Sequence, residues 1–429
     1  MEGRILDGTN ADRACEFFDR YADDLDLLLA LNLNSFRLSL NWPALMPDRP
    51  DSDHGPVCLR QDVMATYKTM LSHMKEKGVK TFVTLFHFCL PSWLSLREGF
   101  LAEEAPEQFR RFASAVADEL GDLVDYWITI NEPLAYAYQG YVAGLWPPGH
   151  NFNYFGALAS VRNLLLAHAY AYDAIKQKDS SAIVGFANHW RPFVPANPMS
   201  PLDQMVSGLR DSVFNQLFPR SVKEGQYQLP MVIRLDSQFQ KLEGEIPGLK
   251  GTMDFLGVNY YTRDRSRFKF SFPIDPFGES VQEPSVKVNG LGWEVYPDGL
   301  FDVLTRDLAP FRFKASGEEI PVVITENGYA ERHHAEKEDG DWSLNDVDRV
   351  EYLISHLSSL HRAIEHGVKV IGYLHWSLLD NFEWAEGLSP RFGLVRVAYP
   401  SQKRELRRSA TVYADIAAAN GFNPARILL

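Results

Sequence analysis

Short apolar runs alternate along this chain with longer amphipathic stretches. The runs are "NSFRLSL" (34–40), "KTFVTLFHF" (80–88), "VDYWITI" (124–130), "AIVGFAN" (182–188), "DFLGVNYY" (254–261), "PVVITEN" (321–327) and "KVIGYLHW" (369–376). Each is rich in β-branched and aromatic residues and short enough to be a strand. Their nearly continuous apolar character predicts strands buried on both faces. The stretches between them have helical spacing. "RYADDLDLLLALN" precedes the first run, "QDVMATYKTMLSHMKEKG" the second, "PEQFRRFASAVADELG" the third and "DVDRVEYLISHLSSLHRAIEHG" the last. Each stops near Gly or Asn, as helices commonly do. Strands alternating with helices predict an α/β protein with a parallel sheet.

Two architectures satisfy that alternation, an open doubly wound sheet and a closed (β/α)₈ barrel. No run is followed by a glycine-rich phosphate loop. Polar or aromatic residues stand instead at the C-terminal ends of the runs: His87, Glu132, His189, Tyr261, Glu326 and Trp376. In a barrel those ends converge on one face, where active sites lie. The pattern therefore favours a TIM barrel occupying residues 1–429 as a single domain. Only seven strands can be counted, while closure wants eight. The opening "MEGRILDGTN" is too short and too polar to be the missing first strand.

Composition narrows the function. A formal net charge of −13 over 429 residues argues against nucleic acid as the main partner. The most basic stretch, "KRELRR" (403–408), reads as a solvated helix face or a set of local ion pairs. Cys15, Cys58 and Cys89 are too few and too scattered for a disulfide framework or a common zinc site. His333 and His334 sit in an acidic stretch and read as solvated surface. The start of the chain shows no signal-peptide pattern, and no run is long enough to span a membrane. The expected compartment is the cytoplasm.

Two strands are expected to end in a carboxylate. "TINEP" (129–133) closes an apolar run with Asn131, Glu132 and Pro133, and "ITENG" closes another with Glu326, Asn327 and Gly328. A lone glutamate at a strand end is usually a solvated loop charge. Two, on strands three apart in a small barrel, can face each other across a substrate. Paired carboxylates suit glycosidic cleavage, one as the acid and the other as nucleophile or base. They could also hold a divalent cation. The neighbouring strand ends offer Trp, Tyr, Phe, His and Arg, which suit a sugar with an apolar ring face and a hydroxyl rim.

Taken together, "TINEP", "ITENG", "NYYT" and "WSLLDNFEW" resemble glycoside hydrolase family 1, the β-glucosidase family of retaining (β/α)₈ enzymes. "FRLSLNWPALMP", "TLFHFCLPSWL", "GWEVYPDGL" and "RFGLV" extend the resemblance from about residue 12 to the C-terminus. It implies a general acid/base at Glu132 and a nucleophile at Glu326. Arg37 and Tyr261 would support the nucleophile, Asn131 would contact the 2-hydroxyl, and Asn259 would support the acid. His87, Phe88, Trp376, Glu383 and Trp384 would form the glycone pocket. An ionised Glu383 would repel 6-phosphorylated sugars and favour neutral hydroxyls. The implied substrates are β-glucosides or β-linked oligosaccharides, with β-galactosides and β-fucosides secondary, and no cofactor or metal is implied.

The chain departs from the family pattern in three places. Phe88 and Cys89 follow His87 where Trp-Asp is usual, which loses an indole donor and points to a relaxed glycone pocket. "SPRFG" replaces a tyrosine-containing linker, with no functional reading. The chain begins "MEG", as though cut just before the family's "YQIEG" ends, so the first strand and its sugar-binding glutamine are expected to be missing. Two exposed parallel edges would follow, inviting self-association. A carbohydrate-binding pseudoenzyme and a transglycosylase share these residues and stand as alternatives.

Overall fold

The computed structural model describes residues 3–50, 57–270, 277–332 and 344–423. His333 and His334 lie outside them. All seven apolar runs form strands: β1 (Ser35–Ser39), β2 (Lys80–Phe86), β3 (Tyr126–Asn131), β4 (Ile183–Trp190), β5 (Phe255–Tyr260), β6 (Val322–Glu326) and β7 (Val370–Tyr373). They make one sheet in which spatial order follows chain order, every neighbouring pair being parallel. The longest helices are α1 (Phe17–Ala30), α2 (Gln61–Glu76), α3 (Ala105–Leu120), α4 (Tyr154–Lys178), α5 (Val347–Glu365) and α6 (Arg408–Ala419).

Helix α3 shows how the sequence builds the outer layer. Phe109, Phe112, Val116 and Leu120 recur at three- and four-residue spacing and are fully buried, the stripe a core-facing helix needs. Pro106 sits in its first turn, where a missing N–H leaves no intrahelical bond unmade.

The sheet curls. Arg37 on β1 donates to the carbonyl of Thr325 on β6 at 3.3 Å, so strands far apart in the order meet across the interior. Phe82, Ile128, Ala187, Phe255 and Val323 pack together as the barrel's inner core. The ring does not close. Among the described residues β1 pairs only with β2, and β7 only with β6. A groove of about 900 Å³ separates these edges, with Phe36 and Arg37 on one side and Ile371, Tyr373 and His375 on the other. The strand count read from the sequence is therefore the count in the structure.

The opening segment forms no strand. It is tied to the loop that follows β7. Leu6 N–H donates to the Ala385 carbonyl at 2.8 Å. The Asp7 carboxylate accepts from the N–H groups of Leu388 and Ser389 at 2.7 and 2.8 Å. Gly387, at φ 76°, allows that approach, because a Cβ there would fall 1.9 Å from Asp7 Oδ1.

The basic stretch 403–408 corrects one expectation. It is not a helix face, since Lys403–Leu406 is a strand paired antiparallel with Val395–Ala398. The ion pairs are present. Arg404 meets Asp24 and Arg407 meets Asp380, each at 2.9 Å. Both aspartates have no exposed surface, and a buried carboxylate requires such a partner. No described helix is long and apolar enough to cross a membrane.

Candidate active site

Strands β3 and β6 each deliver a carboxylate by the same device. Ile128 pairs with Gly185 and Asn131 with Ala187, so three steps along β3 match two along β4. On β6, Ile324 pairs with Val258 and Glu326 with Asn259, two steps against one. An extra residue changes which face the following side chains occupy. Ile128 and Val323 point into the inner core. Past the irregularities, Asn131 and Glu326 also reach inward, where both bond to Arg37. Glu132 itself has φ 44°, a left-handed turn that ends the strand as Pro133 opens a short helix.

The two carboxylates are joined by one hydrogen-bonded network. Arg37 donates from Nη1 to Glu326 Oε1 at 2.5 Å and from Nη2 to Asn131 Oδ1 at 2.6 Å. Asn259 Nδ2 donates to Asn131 Oδ1 at 3.1 Å and to Glu132 Oε1 at 2.8 Å. Thr325 Oγ1 donates to Asn259 Oδ1 at 2.6 Å, which orients that amide. The Tyr261 hydroxyl donates to Glu326 Oε2 at 2.6 Å. Burial and both nearby carboxylates push the Tyr261 hydroxyl far above its ordinary range, so it remains a donor. His189 Nδ1 lies 3.3 Å from Glu132 Oε2.

Glu132 and Glu326 are both buried, and burial opposes ionisation of each. Burial raises Glu326 to about 7, with the charge of Glu132 adding to the rise and Arg37 and Tyr261 opposing it. At Glu132, burial is outweighed by a cationic His189 and by the Asn259 amide, which hold it at about 2. The supports differ in kind. Arg37 is a permanent cation. Among the described residues, Glu132 has no guanidinium within ion-pair distance and accepts instead from Asn259, beside His189.

A cavity of about 570 Å³ opens above this network. His87, Phe88, Asn131, Glu132, Tyr261, Glu326, Trp376, Glu383 and Trp384 all line it. Arg37 and Asn259 lie beneath and act through the carboxylates. One wall is aromatic. The His87 ring is 6.0 Å from Trp376 and 5.6 Å from Trp384, and Phe88 is 5.2 Å from Trp384. Burial and Arg37 push His87 down to about 3, so it is a neutral imidazole, with Nδ1 2.7 Å from Ser39 Oγ. Among the described residues, no group of three or more His, Cys, Asp or Glu could hold a metal ion.

Glu383 corrects a second expectation. Burial and the charges of Glu326, Glu132 and Glu386 raise it to about 8, so it is largely neutral near pH 7. Its Oε2 is buried without a partner. A neutral carboxyl can both donate to and accept from a sugar hydroxyl.

The sequence missed three residues of this site. His189 was legible as a strand end, but its contact with Glu132 was not. Trp146 packs 4.6 Å from Phe88 and 5.7 Å from Trp384, and Trp293 packs 5.5 Å from Tyr261. Both lie outside the strands, and their periodicity gives no sign of where they project.

Comparison with known proteins agrees with this geometry. The profile of glycosyl hydrolase family 1 matches residues 1–422. Beta-glucosidase A of Thermotoga maritima is 31% identical over 422 residues, covering 98% of this chain and 90% of that relative. A 1,4-beta-D-glucan glucohydrolase of Thermotoga neapolitana is 30% identical, with the same coverage. The solved structure of a family 1 β-glucosidase from Thermotoga maritima with isofagomine lactam superposes with a TM-score of 0.87 at 28% identity, covering 99% of this chain and 91% of that one.

Proposed function

This chain belongs to glycosyl hydrolase family 1, and from that premise we propose that it hydrolyses β-glucosides with retention of anomeric configuration. Glu326 is the nucleophile and Glu132 the acid and base. The observation that carries the assignment is the unequal support of the two carboxylates. Glu326 accepts from Arg37 and Tyr261, and Glu132 accepts from the neutral amide of Asn259.

In the first step the Glu326 carboxylate attacks the anomeric carbon while Glu132 gives its proton to the departing glycosidic oxygen. Once Glu326 is a glycosyl ester, Glu132 no longer faces a second carboxylate. In the second step Glu132, now a carboxylate, takes a proton from water as its oxygen attacks the anomeric carbon and Glu326 leaves. Asn131, held between Arg37 and Asn259, meets the 2-hydroxyl, where contacts strengthen in an oxocarbenium-like transition state. His87, Phe88, Trp376, Trp384 and the neutral Glu383 hold the glycone. β-Galactosides and β-fucosides are secondary substrates. The reading includes a cytoplasmic setting, supported by three cysteines that are all free, and self-association through the two unpaired sheet edges.

The test is the first-formed anomer from p-nitrophenyl β-D-glucoside, followed by proton NMR, with Glu326→Ala as control. β-Glucose formed before mutarotation, and abolished by the substitution, is the expected result. α-Glucose first would mean inversion, and undiminished turnover by the variant would remove Glu326 from the mechanism.

A further inference from the structure

Arg191 follows β4 directly and lines the same cavity as Glu132. Its backbone is clamped on both sides by one side chain. Arg191 N–H donates to Asn215 Oδ1 at 2.9 Å, and Asn215 Nδ2 donates back to the Arg191 carbonyl at 2.7 Å. Asn215 has no exposed surface. The backbone is thereby fixed, while no described carboxylate lies within ion-pair distance of the guanidinium, Asp264 and Glu132 acting on it only from further off. Its Nε is buried without a partner. The guanidinium lies over the face of Phe214, 6.0 Å from the ring centroid.

The other cations at this rim are paired. Arg210 meets Asp264 at 2.7 Å, and Asp264 also accepts from Ser266 and Ser280. Arg263 and Arg265 share Glu294 at 2.6 and 2.7 Å. In a chain of net charge −13, this corner of the cavity carries surplus positive charge. Burial disfavours the charged Arg191, but arginine does not deprotonate in a protein. Desolvating a cation without a partner is unfavourable, and an anion bound from the cavity would relieve that penalty.

Position identifies which part of a substrate would supply it. The glycone wall of His87, Trp376 and Trp384 comes from β2 and β7. Arg191 stands after β4, two residues past His189, on the side where Glu132 meets the leaving oxygen. Phe193 and Phe214 beside it, 5.7 Å apart and edge to face, give the cavity apolar walls there. We propose that Arg191 selects β-glucosides whose aglycone is an aromatic ring bearing a carboxylate, the ring lying against Phe193 and Phe214 and the carboxylate on the guanidinium. The proposal rests on the β-glucosidase reading above.

The experiment compares kcat/KM for 4-carboxyphenyl and 4-carbamoylphenyl β-D-glucosides in the wild type, Arg191→Met and Arg191→Lys. A charge-assisted contact of about 1.4 kcal/mol is tenfold. The carboxylate-to-amide ratio is therefore expected to fall about tenfold or more in Arg191→Met, with part of it restored by lysine. Comparing ratios cancels leaving-group differences and any general loss of activity. The same ratio in wild type and Arg191→Met would overturn the proposal. The wild type alone gives a second measure, since 4-hydroxybenzoate should inhibit hydrolysis of the amide substrate more strongly than 4-hydroxybenzamide, and equal inhibition would also overturn it. If neither glucoside is cleaved, the glucosidase reading fails. Calorimetric binding of 4-hydroxybenzoate, lost in Arg191→Met, would then support the anion site separately, and equal binding would remove it.

Discussion

His189 Nδ1 lies 3.3 Å from Glu132 Oε2, while its Nε2 is buried without a partner. This contact makes the charge of the acid depend on the charge of a neighbour. A cationic His189 holds Glu132 low, whereas the first chemical step needs Glu132 protonated. His189→Phe keeps a ring and removes the charge. Glu132 should then lose its proton at higher pH, and the alkaline limb of kcat/KM should move up by about one unit or more. An unmoved limb would mean that His189 does not set the proton affinity of Glu132.

Tyr261 donates to Glu326 at 2.6 Å. Tyr261→Phe removes one bond to a charged acceptor, worth about 1.5–3 kcal/mol. The expected result is a fall in kcat/KM of roughly ten- to a hundredfold, without a comparable fall in Tm. Wild-type kinetics would show that Arg37 alone suffices to hold the nucleophile.

Burial and neighbouring carboxylates raise Glu383 to about 8, well above the ordinary carboxylate range. A carboxyl with a raised folded pKa destabilises the fold progressively as pH climbs from its unfolded value to its folded one. Glu383→Gln removes that penalty. Its Tm should therefore exceed that of wild type by an amount that grows between about pH 5 and pH 8, read by calorimetry at several pH values. A constant difference would place the ionisation elsewhere.

Asp7 accepts the N–H groups of Leu388 and Ser389 in the loop that carries Glu383 and Trp384. Asp7→Ala leaves those groups without their acceptor and frees the loop. KM for glucosides should rise several-fold while kcat changes less, because the loop belongs to the glycone wall and not to the reacting pair. A fall in kcat alone would contradict this division.

Much of the barrel was readable because a buried parallel strand has no polar face to hide. All seven runs became strands within three residues of their sequence limits. The motifs placed Glu132, Glu326 and Arg37 in one network for a similar reason, since an ionisable residue ending an apolar run has few places to go. What stayed hidden depends on contacts between distant segments. A strict two-residue alternation would send Glu326 away from the face that Val323 occupies, and the extra residue before it appears only in the pairing with β5. The neutrality of Glu383 depends on its burial and on the charges of Glu326 and Glu132, which folding brings near it. Arg404 and Arg407 looked solvated because their partners, Asp24 and Asp380, are far away along the chain.

The seam between β1 and β7 also has a mechanical meaning. In a closed ring, sliding one strand past its neighbour forces every other pair to slide, so shear is resisted collectively. A ring with a gap behaves like a C-shaped spring, in which the two lips can part while the remaining pairs stay in register. Arg37 sits on one lip and reaches across to Glu326 near the other. The ion pair of the proposed catalytic centre is thus also the clasp that sets the aperture of the spring. Widening the seam would draw the guanidinium from the nucleophile, so mechanical compliance and chemical competence meet in one bond. Amide exchange in β1 and β7 should accordingly be faster than in β3 and β4, and an inhibitor that tightens the Arg37–Glu326 contact should slow it on both lips together.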